Sequence, residues 1–371
     1  MKRSVLSLFS IVFALMGFLP CDAADLALAP AESSGHISES TIWEPKEKSI
    51  AAYFVYGLTR TTRNTLLAFS EARVGSVKDE APHHLALKRS TDHGVTWSGN
   101  LYVEEANGAY WKQLGTTNRL ECWSQPTPIV DRKTGRIFLF YALNEGGSEG
   151  KNTQCFTHAF YKFSDDDGLT WSERVNVTDL LNIRKDGSPN RDSKGKWVRD
   201  LNGFPCDWRG RAVHMPGPGH GLQLKSGRML VQFWNRVGLV TPEGKQVPTK
   251  ERNYGLSFLY SDNNGQTWKS GPFLGDELNA TESRMVELDN GDIYLNTRTT
   301  TERRGARGVM IGNKGGLKWK VKGYDEAMPP YSPEDSGLTE LRKDGKQVLL
   351  VSRCGNLNHR QQLVLSASLD A

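Results

Sequence analysis

One octapeptide recurs along the chain and limits what it can fold into. Ser90-Thr-Asp92-His-Gly94-Val-Thr96-Trp97 is followed by Ser164-Asp-Asp166-Asp-Gly168-Leu-Thr170-Trp171 and by Ser261-Asp-Asn263-Asn-Gly265-Gln-Thr267-Trp268. A worn fourth copy, Gly312-Asn-Lys-Gly-Gly316-Leu-Lys-Trp319, keeps only the glycine and the tryptophan. The chemistry is that of a tight hairpin. The Asp or Asn side chain caps backbone N–H groups of the turn, the glycine takes a positive φ, and the tryptophan packs back between strands. Apolar runs such as His84–Ser90 and Ala159–Ser164 lead into the copies, so each copy marks one hairpin of one sheet. The copies begin 74, 97 and 51 residues apart, which fits four-stranded units of about 40–50 residues carrying insertions. With 37 glycines, 10 Trp and 11 Tyr in 371 residues, the chain reads as all-β and not as a helical bundle.

Between the copies lie further hairpins, Pro128–Asp131 turning at Gly135 into Ile137–Tyr141, and Gly221–Leu224 turning at Ser226-Gly227 into Met229–Phe233. The stretch Thr178–Arg211 is polar, charged and poor in periodicity, and reads as a long surface insertion of the kind that walls a site.

The first 23 residues read as a secretory signal: Lys2 and Arg3, an apolar run from Val5 to Pro20, then Cys21-Asp22-Ala23 before the cleavage point. That leaves 24–371 as one domain in a secreted or periplasmic protein. No later apolar run approaches 18 residues, so stable membrane insertion is not expected. The formal charge of +5 comes from scattered Lys and Arg with no basic stripe interleaved with stacking aromatics, which argues against nucleic acid and for charge aimed locally at an acidic small ligand. Cys122, Cys155, Cys206 and Cys354 form no C-x-x-C pair, so no metal site is indicated, and an oxidising compartment permits Cys122–Cys155 or another pairing.

The octapeptide is the Asp-box, and at these intervals it resembles the sialidase (neuraminidase) superfamily of six-bladed β-propellers. Four further stretches resemble its catalytic domain in family order: Tyr53–Leu58 leading to Leu67-Ala-Phe-Ser-Glu71-Ala-Arg73 and then Asp79; Gln125–Asp131; Gly217-Pro-Gly-His220-Gly-Leu-Gln223; and Glu282–Gly291 leading to Leu295-Asn-Thr-Arg298, then Arg360–Ser366. The resemblance implies an exo-α-sialidase-type hydrolase that removes terminal sialic acids and needs no metal or cofactor. Such a site grips the ligand carboxylate with three guanidinium groups, uses a Tyr as nucleophile with a Glu beside it, and an Asp as acid and then base.

Carried over by motif, Asp79 resembles the acid/base and Glu282 the partner of the nucleophile. Arg298 and Arg360 resemble the second and third carboxylate-binding arginines, and Arg73 an arginine on the hydroxyl side of the sugar. His220 either lines the pocket or fits a tight turn. Trp111 and Trp123 are either sugar platforms or core.

Two departures stand out. Phe54 occupies the place of the first carboxylate-binding arginine. Arg60, on the same face but roughly 20 Å along the strand, cannot replace it, whereas Tyr56 can offer a neutral donor. The family's nucleophilic Tyr follows the third arginine by some thirty residues, whereas this chain ends eleven residues after Arg360; Tyr331-Ser332 precedes Arg360 and lies in the wrong place. Ser368-Leu-Asp370-Ala371 reads as the first half of another Asp-box. The expectation is therefore a propeller with an incomplete last blade, truncated relative to the family. Two other readings stay open: a propeller glycosidase or lyase acting on another acidic sugar such as a uronic acid, with His83, His84 or His220 and Tyr56 moving protons, and a non-catalytic carbohydrate-binding propeller.

Overall fold

The computed structural model describes residues 12–14, 39–45, 49–145, 156–239, 241, 243, 245–248, 251–300, 306–326, 328, 335–356 and 363–368. Its strands run in chain order as β1 (Val12–Ala14), β2 (Ile50–Arg60), β3 (Leu66–Val74), β4 (His83–Ser90), β5 (Leu101–Glu104), β6 (Trp123–Val130), β7 (Ile137–Asn144), β8 (Thr157–Ser164) and β9 (Val175–Asn176). They continue as β10 (Val213–Pro216), β11 (Leu222–Gln223), β12 (Met229–Arg236), β13 (Gly255–Ser261), β14 (Lys269–Leu274), β15 (Ala280–Glu287), β16 (Ile293–Thr299), β17 (Arg307–Asn313), β18 (Lys318–Tyr324), β19 (Gly337–Lys343), β20 (Lys346–Cys354) and β21 (Leu363–Ser368).

The strands pair into five separate sheets. Four are antiparallel meanders: β2 to β5, β6 to β9, β10 to β14 with β11 as a side strand on β12, and β15 to β18. The fifth joins β19, β20 and β21, with β1 lying parallel beside β21. This is the blade arrangement of a propeller, consistent with one whose last blade is incomplete. The strand β1 falls inside the stretch read as a signal; the rest of 1–23 lies outside the described residues.

The repeated hairpins are built as their chemistry demands. In the first, Gly94 N–H donates to Ser90 Oγ at 2.8 Å and Thr96 N–H to Asp92 Oδ1 at 3.0 Å. The third, with asparagine in place of aspartate, keeps both bonds, at 2.9 and 3.0 Å. What the repeat contributes beyond its own turn is a seam. Each later tryptophan packs against the blade before it: Trp171 on Phe69 at 6.0 Å, Trp268 on Phe140 at 4.7 Å and Trp319 on Phe258 at 5.0 Å between ring centres. The glycines press on the same neighbours, because a Cβ added at Gly265 would overlap the Phe138 ring and one at Gly316 would crowd Leu230. The octapeptide therefore sets both the hairpin and the spacing between blades. The core is a set of apolar layers between consecutive blades and not one central mass.

The insertion is more regular than its sequence suggested. Backbone N–H groups of Asn190, Val198 and Cys206 each donate to the carbonyl eight residues earlier, of Asn182, Asn190 and Val198, at 3.0, 3.0 and 3.3 Å. The second and third loops turn on an Asp-x-x-Gly, with Asp192 and Asp200 accepting from N–H groups two and four residues on, and the first turns at Arg184–Gly187. The result is a short stack of eight-residue loops. Cys122 and Cys206 are buried and in no disulfide, so Cys122 is not paired with Cys155, which lies outside the described residues. Among the described residues no helix is long and apolar enough to cross a membrane.

Candidate active site

The inner strands of the five blades end around one cavity of about 1070 Å³. Two bulges shape its floor. On β2 the register shifts between Phe54 and Gly57, with Val55 at φ 54°, and on β6 it shifts between Ser124 and Thr127, with Gln125 at φ 65°. A β-branched residue in the left-handed region is strained, and such strain persists where the surroundings fix it. Here it is fixed by close packing: a Cβ added at Gly57 would lie 3.1 Å from the carbonyl oxygens of Gly219 and Pro126. The bulge leaves Phe54, Val55 and Tyr56 lining the cavity.

The wall formed by the first blade is acidic. Arg73, buried on β3, donates to Glu71 Oε2 at 2.9 Å and to the Val77 carbonyl at 2.7 Å, and pairs with Asp79 Oδ1 at 2.7 Å. The Asp79 side chain is 74% exposed where it lines the cavity beside Arg73. Glu71 is only 2% exposed and accepts the Gln125 N–H at 3.0 Å. Burial pushes its carboxyl up to about 7 against the pull of Arg73. His83, 3.5 Å from Glu71, is pushed down to about 3 by its own burial, so their contact between those values is one of neutral groups and not an ion pair. The Arg73 guanidinium lies 4.5 Å over the Phe54 ring.

The wall formed by the fourth and fifth blades is basic. Glu282 on β15 meets Arg298 on β16 at 2.7 Å. Arg284, two residues along the same strand face, pairs with Asp335 and donates to the Ser283 carbonyl at 3.1 Å. Behind them Arg307 donates to Asn296 Oδ1 at 2.5 Å, and burial pushes its guanidinium down to about 10. Burial also raises the Asp335 carboxyl, opposed by Arg284. Arg236, Arg252, Arg353 and Tyr254 complete this side.

Of the residues expected from sequence, Tyr56, Arg73, Asp79, His220, Glu282 and Arg298 all line this one cavity, and Arg360 lies outside the described residues, as does Tyr331-Ser332. His220 combines both readings offered for it. It faces the cavity, and its ring nitrogens sit 3.0 Å from the carbonyls of Gly221 and Leu338, latching the 217–221 loop to the fifth blade. Tyr56 donates its hydroxyl to the Tyr53 carbonyl at 2.6 Å, so its proton is spent within its own strand. Trp111 and Trp123 are buried in the layer between the first two blades and are core. His83 is buried against Glu71 and Cys122, and His84 accepts the Ala106 N–H at 2.9 Å; neither lines the cavity.

Sequence reasoning missed Glu71, Arg284 and Asp335. The first two carried a usable signal, because Glu71 shares strand parity with Arg73 and Arg284 with Glu282, and period-two residues share a face. Asp335 carried none.

A family model described as BNR repeat-like domain matches residues 118–371. The chain belongs to this family. The BNR repeat-like chain is 26% identical over 367 residues to a sialidase of Micromonospora viridifaciens, covering 95% of this chain and 50% of that one. It is 27% identical over 334 residues to a sialidase of Bacteroides fragilis, covering 86% and 53%. It thus spans about half the length of these curated relatives. Among solved structures, a Hadza microbial sialidase superposes with a TM-score of 0.67 at 23% identity, over 87% of this chain and 57% of that one. The fold is that of the sialidase superfamily.

Proposed function

We propose that this chain is an exo-α-sialidase-like glycoside hydrolase acting on terminal sialic acids of glycoconjugates, its activity impaired by Phe54 at the first carboxylate-binding arginine position and by the lack of an assigned nucleophilic Tyr. The observation that carries the reading is one cavity holding Asp79, clamped by Arg73, and the Glu282–Arg298 pair, in a chain whose relatives are named sialidases. Asp79 is the acid/base: it is the exposed carboxylate at the mouth, reachable by a leaving-group oxygen and by water. Glu282 takes the place of the family's base beside a nucleophilic Tyr, a residue not assigned in this sequence, and its bond to Arg298 fixes both side chains. Arg298 and Arg360 take the ligand carboxylate, with Arg73, Tyr56 and His220 shaping the pocket around the sugar.

The enzyme so described is secreted or periplasmic, with 1–23 removed as a signal and 24–371 as the propeller, and its partner is a sialylated or other acidic glycan. Phe54 favours one second reading, in which the acidic sugar is a uronic acid, since no cation stands at that position on β2. Hydrolysis of a fluorogenic sialoside tests the first reading. Turnover lost in Asp79→Ala and in Glu282→Ala supports it; turnover of uronate oligosaccharides alone moves the assignment to the second, and glycan binding without any product moves it to a binding propeller.

A further inference from the structure

On the first-blade wall Phe54 supplies a ring, and the Arg73 Nη1 and Nη2 groups are turned to Glu71, Asp79 and the Val77 carbonyl. The opposite wall is rich in guanidinium groups. Arg284, Arg298 and Arg307 stand near Glu282 and Asp335, and each carboxylate feels more than one of these guanidinium groups. Burying a guanidinium is costly unless it is hydrogen-bonded and paired, and a bound anion lowers that cost.

We propose that Arg284 acts with Arg298 to bind the carboxylate of the acidic sugar, taking the part that Phe54 leaves unfilled, with Asp335 as the positioning residue that holds the Arg284 guanidinium. The proposal rests on the acidic-glycan reading and names the residue that decides carboxylate specificity within it.

Three observations place Arg284 for this. It is 5% exposed yet lines the cavity, two residues from Glu282 on one strand face, a Cα separation of roughly 7 Å. A guanidinium has five N–H donors, and among the described residues Arg284 spends donors on Asp335 and the Ser283 carbonyl, leaving others for a ligand. Finally, Gly219 lies flat against it: φ there is 110°, and an added Cβ would overlap the guanidinium, so the 217–219 loop is bare backbone where this side chain needs room. The Asp335 contact fixes one edge of the fork, and its other carboxylate oxygen, buried without a partner among the described residues, can accept a ligand hydroxyl.

The test is titration of the full chain with free N-acetylneuraminic acid, its methyl ester and galacturonic acid, read by calorimetry, for the natural sequence, Arg284→Gln and Arg284→Lys. The proposal expects the acid to bind about 10- to 200-fold more tightly than the ester, the range of one charge-assisted hydrogen bond. Arg284→Gln should erase that preference, and Arg284→Lys should keep part of it, since an ammonium preserves charge but not the fork. If Arg284→Gln does not fold, Arg284→Lys carries the test, weakening the acid and sparing the ester. A preference for acid that survives in Arg284→Gln overturns the proposal and leaves the sialidase reading standing. Arg284-dependent binding of galacturonic acid alone keeps the proposal and removes the sialidase reading. Failure of the natural sequence to bind either acid in the millimolar range overturns the proposal as well.

Discussion

The two walls of the cavity are built from the same kind of element and carry opposite charge. On the first blade, Glu71 and Asp79 flank one arginine and Glu80 also lines the cavity; on the fourth and fifth, Arg284 and Arg298, with Arg307 behind them, face two carboxylates. In each case a strand face delivers an acid and an arginine two positions apart, Glu71 with Arg73 and Glu282 with Arg284. The balance is decided by what neighbouring segments bring: a loop with Asp79 and Glu80 on one side, Arg298 and Arg307 on the other. A ligand with a carboxylate at one end and hydroxyls at the other is oriented by that polarity before any single contact is made.

The comparison breaks most visibly if the proposed chemical groups are removed. Asp79→Asn and Glu282→Gln should each lower kcat on a fluorogenic sialoside about 10²- to 10⁴-fold, the usual worth of a positioned proton-transfer group. Losses confined to KM would show that the walls bind and do not react.

Next in size is Arg298→Lys. It keeps the charge facing Glu282 and loses the planar fork, so KM for an acidic substrate should rise about 10- to 200-fold. An unchanged KM would mean that the carboxylate does not reach the basic wall.

The acidic wall is probed by pH. Glu71, held at about 7 instead of 4.5, binds its proton more tightly when folded than when unfolded. Its stabilising contribution is therefore full below 4.5 and lost as pH rises through about 7. His83, held at about 3 instead of 6.5, contributes fully above 6.5 and loses that as pH falls towards 3. Thermal unfolding of Glu71→Gln followed across pH should show a smaller loss of Tm between 4.5 and 7 than the natural sequence. An identical pH profile would mean that Glu71 is ionised throughout, and the wall more negative than described.

The smallest effect belongs to Phe54→Ala. Removing the ring under Arg73 should cost about 0.5–1 kcal/mol of stability by denaturant unfolding and leave carboxylate affinity unchanged. A marked fall in affinity would place the carboxylate on the first blade after all.

Much of this was legible in the sequence, for identifiable reasons. Turn chemistry is local, so the Asp-boxes gave the hairpins, and the family motifs carried Arg73, Asp79, Glu282 and Arg298 to one cavity. The seam role of Trp171, Trp268 and Trp319 was not legible, because it depends on which blade lies next door. Nor was the partnership of Arg284 with Asp335, which joins residues 51 apart from different blades. His83, read from sequence as a proton carrier in the uronic-acid alternative, is instead sealed in, with the Glu71 and Cys122 side chains against its ring. The insertion escaped because an eight-residue period matches neither a helix nor a strand, although Arg191-Asp192 and Arg199-Asp200 repeat it openly.

The polarity of the cavity is the central claim, and a crystal structure with a non-hydrolysable sialic acid analogue tests it most directly. The account predicts the ligand carboxylate within hydrogen-bond reach of Arg284 and Arg298, with its hydroxyl-bearing end towards Arg73 and Asp79. A carboxylate seated beside Phe54, with Arg284 still closed on Asp335 and untouched by ligand, would contradict it.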